Sequence, residues 1–196
     1  MEDDSFYTQL CAQGDTKAFG ELYDRYIDKI YRFIYYKIFV KEIAEDLTSD
    51  VFTKAFEKIK SFDPKKGPFS AWIYRIARNA VIDHYRTRKT TIPIEDIFET
   101  GEENRTPQEL DAVAELAKVT EYLKTLSAKQ REIITLRIWD ERSYKEIAEI
   151  VGSTESGVKM AFSRSIRDLR DTCGPIALLL LMELGRAKAL PFHILS

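Results

Sequence analysis

The chain has 196 residues, 44% of them hydrophobic, and its 30 Lys plus Arg nearly balance 32 Asp plus Glu. This composition excludes wholesale disorder and suits one large domain or two small ones. Two cysteines, Cys11 and Cys173, are too few for a disulfide framework or a cysteine zinc site, and His84 and His193 show no ligand spacing, so no metal or cofactor is expected. The longest apolar run, residues 176–182, falls far short of the ~20 residues that span a bilayer. Met1-Glu-Asp-Asp is acidic where a secretory leader would be basic, so a cytoplasmic protein with no membrane association is expected.

The helical period runs through most of the chain. Phe19, Leu22, Tyr23, Tyr26, Ile27, Ile30, Phe33 and Ile34 mark a first helix. Ile43, Leu47, Val51, Phe52, Ala55, Phe56 and Ile59 mark a second, and Phe69, Trp72, Ile73, Ile76, Ala77, Ala80 and Val81 a third. Pro64, Gly67 and Pro68 break the chain between the second and third. Residues 90–106 lose the period and are expected to form an acidic linker with at most one short helical turn. Helices resume near Gln108. Ser127-Ala-Lys-Gln130 and Ser143-Tyr-Lys-Glu146 each fit a capping box. They predict helices over 128–139 and 144–151. Gly152 supplies the left-handed residue that ends the latter, and Ser153 or Thr154 caps a last helix running to about Asp171. The expected fold is all-α: a helical domain over 1–90, a linker over 91–107, a helix-turn-helix domain over 108–173 and an apolar tail over 174–196.

Small Ala148, Gly152 four residues on and Val158 six further have the offsets of a helix-turn-helix. Val158, Phe162, Ile166 and Leu169 form an apolar stripe on the second helix; Glu155, Ser156, Lys159, Met160, Ser163, Arg164 and Arg167 share the other face. Lys, Ser and Arg so placed can enter a major groove and reach base edges and phosphates.

The near-neutral total charge hides a local asymmetry. Residues 72–89 carry five bases against one acid, whereas 91–116 carry eight acids against one base. In the basic stretch aromatics interleave with arginines, the composition of a surface that tracks phosphates and stacks unpaired bases. An ordinary amphipathic helix with Trp72 in the core has the same composition.

Asp46-Leu-Thr-Ser-Asp-Val-Phe-Thr-Lys-Ala-Phe56, then Phe62, then Phe69-Ser-Ala-Trp-Ile-Tyr-Arg-Ile-Ala-Arg-Asn79 and Ile82-Asp-His-Tyr-Arg86 resemble region 2 of the bacterial extracytoplasmic-function sigma factors. Leu126-Ser-Ala-Lys-Gln-Arg-Glu-Ile-Ile-Thr-Leu-Arg137, Ser143-Tyr-Lys-Glu-Ile-Ala148 and Val158-Lys159 resemble their region 4, in the same order and spacing. The resemblance implies a factor that binds core RNA polymerase, recognises promoter −35 and −10 elements and opens DNA, without being an enzyme.

It also implies roles. Asp46, Leu47, Asp50, Val51 and Phe52 match the surface that docks on the β′ clamp helices, with the β flap as a second polymerase contact. Phe62, Lys65, Lys66 and Asn79 match the part that captures a flipped −10 base, and Trp72, Tyr74, Arg75 and Arg78 the helix bordering the melted strand. Ser156, Lys159, Met160, Ser163, Arg164 and Arg167 match the −35 readers. Met160-Ala161 stands where many relatives carry Ser-Arg, which removes a cation. An anti-sigma factor is an expected partner. The acidic linker resembles the segment that threads the polymerase RNA path.

A dimeric helix-turn-helix regulator would leave the Asp46 and Asn79 blocks unexplained. A helical enzyme would need a P-loop, a metal-ligand helix or a paired nucleophile and base, and none is evident. The tail, with Ile176, Leu178, Leu179, Leu180, Leu181, Met182 and Leu184, fits a short helix over about 175–186. Three roles stay open for it: packing on the second domain, bridging the two domains so as to mask the recognition helix, or waiting for a partner.

Overall fold

The computed structural model describes residues 3–87 and 107–186; the acidic linker expected over 91–107 lies almost wholly outside them. The chain divides into two compact units, Met1–Ile94 and Glu95–Ser196. Every regular element among the described residues is helical.

The first unit is built from α1 (Asp4–Ala12), α2 (Thr16–Ile38), α3 (Lys41–Lys58) and α4 (Phe69–Thr87). Asp15 caps α2, its carboxylate accepting from the Lys17 amide at 2.8 Å. Of the periodic set on α2, Phe19, Leu22, Tyr26, Ile30, Phe33 and Ile34 are buried, whereas Tyr23 and Ile27 are only half-buried. Ala44, Thr48, Val51 and Ala55 on α3 are buried and mostly small, so α3 can approach α2 and α4 closely. Phe39 closes α2 in the left-handed region at φ 57°, which lets the chain reverse within two residues.

Helix α1 is an addition to the three helices expected. Its own apolar pattern is weak and Phe6 is exposed. Tertiary bonds hold it instead: Arg25 pairs with Asp4 at 3.0 Å, the Tyr26 hydroxyl donates to the other Asp4 oxygen, and the Arg25 guanidinium lies 4.5 Å from the Tyr7 ring centroid. As the prolines require, α3 and α4 are separated by a loop containing two short 3₁₀ turns, Ile59–Ser61 and Pro64–Lys66, and Gly67 sits at φ 136°.

The second unit comprises α5 (Pro107–Thr125), α6 (Ala128–Ile134), α7 (Tyr144–Val151), α8 (Glu155–Cys173) and α9 (Ala177–Arg186). Both capping boxes form, Ser127 with Gln130 and Ser143 with Glu146. The helix expected over 128–139 stays helical but widens into a π-turn over Thr135–Trp139. Thr135 diverts its hydroxyl to the Arg131 carbonyl at 3.0 Å, a side-chain bond that competes with the α-helical ladder.

Gly152 ends α7 at φ 63°, and Thr154 caps α8 through the Gly157 amide at 3.1 Å. Gly157 is fitted to that cap: a Cβ there would meet the Thr154 hydroxyl at 3.0 Å. Val158 and Leu169 are buried as expected, but Phe162 and Ile166 are only half-buried. Ser165 takes the centre of the buried face, its carbonyl accepting from the Tyr122 hydroxyl at 2.6 Å. The tail forms α9, which packs on α5, α8 and the π-turn with Ala177 and Leu181 fully buried. Residues 187–196 lie outside the described set.

Candidate nucleic-acid interface

In the first unit the aromatic cluster at the start of α4 organises the neighbouring loop. Phe62 lies 5.9 Å from Phe69 and 5.4 Å from Trp72, Phe69 lies 5.5 Å from Trp72, and Tyr26 backs Phe69 at 5.3 Å. These edge and tilted contacts fix Phe62 within the loop and leave Trp72 and Phe62 half-buried, with ring surface still open to solvent. Asp63 accepts from the Lys65 amide at 3.0 Å and holds the turn that projects Lys65 and Lys66 outward. Two cations therefore stand beside exposed aromatic surface.

From that cluster α4 carries an outward stripe of Arg75, Asn79, Ile82 and Arg86 at four- and three-residue steps. Arg75 and Asn79 are exposed and Arg78 is half-buried to one side. Tyr74 departs from expectation. It is 0% exposed, its ring 5.1 Å from Phe33, because its position on α4 faces α2. It supports the stripe from beneath and cannot itself border a nucleic-acid strand. Ile82 stands 53% exposed in the middle of this stripe, a motif residue to which the resemblance assigns no site role. Its signal was periodicity: it is the i+7 partner of Arg75 and the i+3 partner of Asn79.

On α3, Asp46 and Asp50 are exposed one turn apart and Leu47 is half-buried between them. Val51 and Phe52, expected on the same docking surface, face inward instead. Val51 is fully buried, and Phe52 packs edge-on against Tyr23 at 4.8 Å. Their apolar side chains are needed to seat α3 on α2, so the surface available to a partner is Asp46, Leu47 and Asp50, flanked by exposed Phe56.

In the second unit α7 and α8 form the helix-turn-helix. Ala148 on α7 and Val158 on α8 are both buried where the two helices pack together. Tyr144 and Phe162 brace the pair at 5.9 Å, and the Arg137 guanidinium covers the Tyr144 ring at 4.7 Å. Glu146 secures the start of α7. Burial pushes its carboxyl up, but bonds from the Ser143 hydroxyl and amide, with Arg142 3.1 Å away, more than offset this and hold it below its ordinary value. Ser156, Lys159, Met160, Ser163, Arg164 and Arg167 all lie exposed on α8, and no ion pair among the described residues engages Lys159, Arg164 or Arg167. Among the described residues no cluster of His, Cys, Asp and Glu could hold a metal, and no helix is long and apolar enough to cross a membrane.

A braced helix-turn-helix with free cations, on a chain that also carries a basic, aromatic-lined helix, defines a helical DNA-binding protein of the transcription-factor class. Comparison with known proteins narrows the class. The model of sigma-70 region 2 matches residues 22–91, and that of sigma-70 region 4 matches residues 116–169. The chain is 34% identical over 161 residues to the ECF RNA polymerase sigma factor BldN of Streptomyces coelicolor, covering 80% of this chain and 60% of that protein. It is 33% identical over 170 residues to the ECF sigma factor SigW of Bacillus subtilis, covering 81% of this chain and 90% of that one. Among solved structures, the sigma factor RpoE from Bartonella quintana, in complex with the anti-sigma factor NepR, matches with TM-score 0.64 at 25% identity over 80% of this chain and 97% of that one. CnrH in complex with the cytosolic domain of CnrY matches with TM-score 0.62 at 25% identity, covering 95% of this chain and 99% of that one. The chain belongs to the extracytoplasmic-function RNA polymerase sigma factors of the sigma-70 family.

Proposed function

We propose that this sigma factor docks on the polymerase β′ clamp helices through Asp46, Leu47 and Asp50, with its region 4 against the β flap, and divides promoter recognition between its two units. On this reading α8 lies in the major groove of the −35 element, with Lys159, Met160, Ser163, Arg164, Arg167 and Ser156 toward the DNA. The Ser61–Pro68 loop, with Phe62, Lys65, Lys66 and Asn79, holds a base extruded from the −10 element. Flipping a base costs a few kcal/mol, and stacking on Phe62 and Trp72 with an amide pairing at Asn79 is the kind of return that offsets it. Arg75 and Arg78 meet the adjoining backbone.

The observation that carries this reading is the juxtaposition of the Phe62–Trp72 ring cluster, two outward lysines and the exposed Asn79 along one helix and its preceding loop. The chain supplies no reacting group on this reading; phosphodiester chemistry stays with the polymerase, in the cytoplasm. The solved relative RpoE is held by the anti-sigma factor NepR, which supports an anti-sigma factor for this chain too.

Core polymerase mixed with the full chain and a genomic-fragment library tests the reading. Discrete run-off transcripts are expected, with permanganate-reactive thymines upstream of their starts. A chain that binds core enzyme yet yields neither overturns it.

A further inference from the structure

The outward face of α8 is polar with one exception. Of its exposed residues, Glu155, Ser156, Lys159, Ser163, Arg164, Arg167, Asp168, Arg170, Asp171 and Thr172 carry charged or hydroxyl groups, and Met160 alone is apolar. Met160 is 56% exposed and lies within the first two turns of the helix. It stands opposite the buried line of Val158, Ser165 and Leu169, with Ser156 one turn before it and Ser163 and Arg164 one turn after. Its thioether is therefore surrounded by side chains suited to phosphates and base edges while having no polar partner to offer.

The major groove presents one apolar group at its floor, the C5-methyl of thymine. An unbranched, polarizable side chain suits it, because it can adjust its reach without the fixed shape of a branched residue. We propose that Met160 is a specificity-determining residue that selects a thymine in the upstream promoter element by burying its thioether against the base methyl. The proposal rests on α8 being the duplex-reading helix.

The test uses holoenzyme carrying the full chain and duplex promoter DNA in which each thymine of the upstream element is replaced singly by deoxyuridine. That replacement removes the methyl and nothing else. One position is expected to weaken wild-type binding about fourfold, the factor corresponding to one buried methyl-sized group. The same replacement is expected to cost Met160→Ala holoenzyme nothing and Met160→Leu holoenzyme a similar factor. Insensitivity of the wild type at every thymine, or an equal loss in Met160→Ala, overturns the proposal. Arg164→Ala and Lys159→Ala holoenzymes on the unmodified duplex separate this failure from that of the underlying reading. If both bind the upstream element as wild type does, α8 is not its reader and both readings fall. If they bind more weakly while deoxyuridine is silent, the Met160 assignment alone is wrong.

Discussion

The indole N–H of Trp139 donates to the main-chain carbonyl of Leu181 at 2.7 Å, with both groups buried. This bond ties the π-turn to α9 and makes the apolar tail part of the second unit. Leu181→Ala is expected to cost about 2–5 kcal/mol, the range for emptying a buried leucine site. Trp139→Phe should cost about 0.5–1.5 kcal/mol, the range for one intramolecular hydrogen bond. Urea unfolding measures both. Truncation after Thr172 should lower stability and leave free DNA binding unchanged; a rise in DNA binding would instead show that the tail masks α8.

Asn79→Ala should leave polymerase binding intact and impair promoter opening. The exposed amide lies on the outward stripe of α4 and contributes nothing to its buried face, so folding is indifferent to it. Permanganate footprinting of the holoenzyme reads the strand separation. Wild-type reactivity in the mutant would remove Asn79 from the base-holding site.

Asp46→Arg should do the reverse. The side chain is exposed on α3, so thermal unfolding should be unchanged, while an attraction to a basic partner surface becomes a repulsion. A pull-down of core polymerase is expected to lose most of its yield. The same substitution at buried Val51 would confound folding with docking, which is why the acids are the better probes.

On α8, Arg164→Ala is expected to weaken binding by about 1–3 kcal/mol and to relax preference at one base position. Lys159→Ala should weaken binding evenly across sequences and reduce its salt dependence, the behaviour of a phosphate contact. Titrations on varied promoters at two salt concentrations distinguish the two. Exchange of these behaviours between the residues would reverse their assignments.

These residues also show what the sequence could and could not convey. The helix-turn-helix was legible because its determinants are local: Ser143 and Glu146 cap one helix, Gly152 turns the chain, and Val158 plugs the next. The position of Tyr74 was not, because a tyrosine between Trp72 and Arg75 fits either face until α2 places Phe33 beneath it. Helix α1 was illegible for a related reason. Its stability comes from Asp4 bonding Arg25 and Tyr26, more than twenty residues away. Ser165 inverted the usual rule: a polar residue occupies the buried centre of α8, its hydroxyl met by the Gln130 side-chain amide at 3.5 Å and its main-chain carbonyl by the Tyr122 hydroxyl on α5.

That last contact predicts an alkaline sensitivity. The Tyr122 hydroxyl donates to the Ser165 carbonyl at 2.6 Å, and a phenolate could not. Burial, and then the nearby Asp168 and Cys173, push its pKa from 10.0 up to about 12. The unfolded chain therefore loses this proton first. The stabilisation is fully present below pH 10 and is lost as pH rises through about 12. Tyr122→Phe removes both the bond and the titration, so it should be less stable than the parent at neutral pH by about 0.5–1.5 kcal/mol. Its urea midpoint should also fall less steeply between pH 10 and 12. Fluorescence of Trp139 in a Trp72→Phe background reports the second unit alone. Parallel alkaline declines in parent and mutant would mean that Tyr122 carries none of the pH dependence.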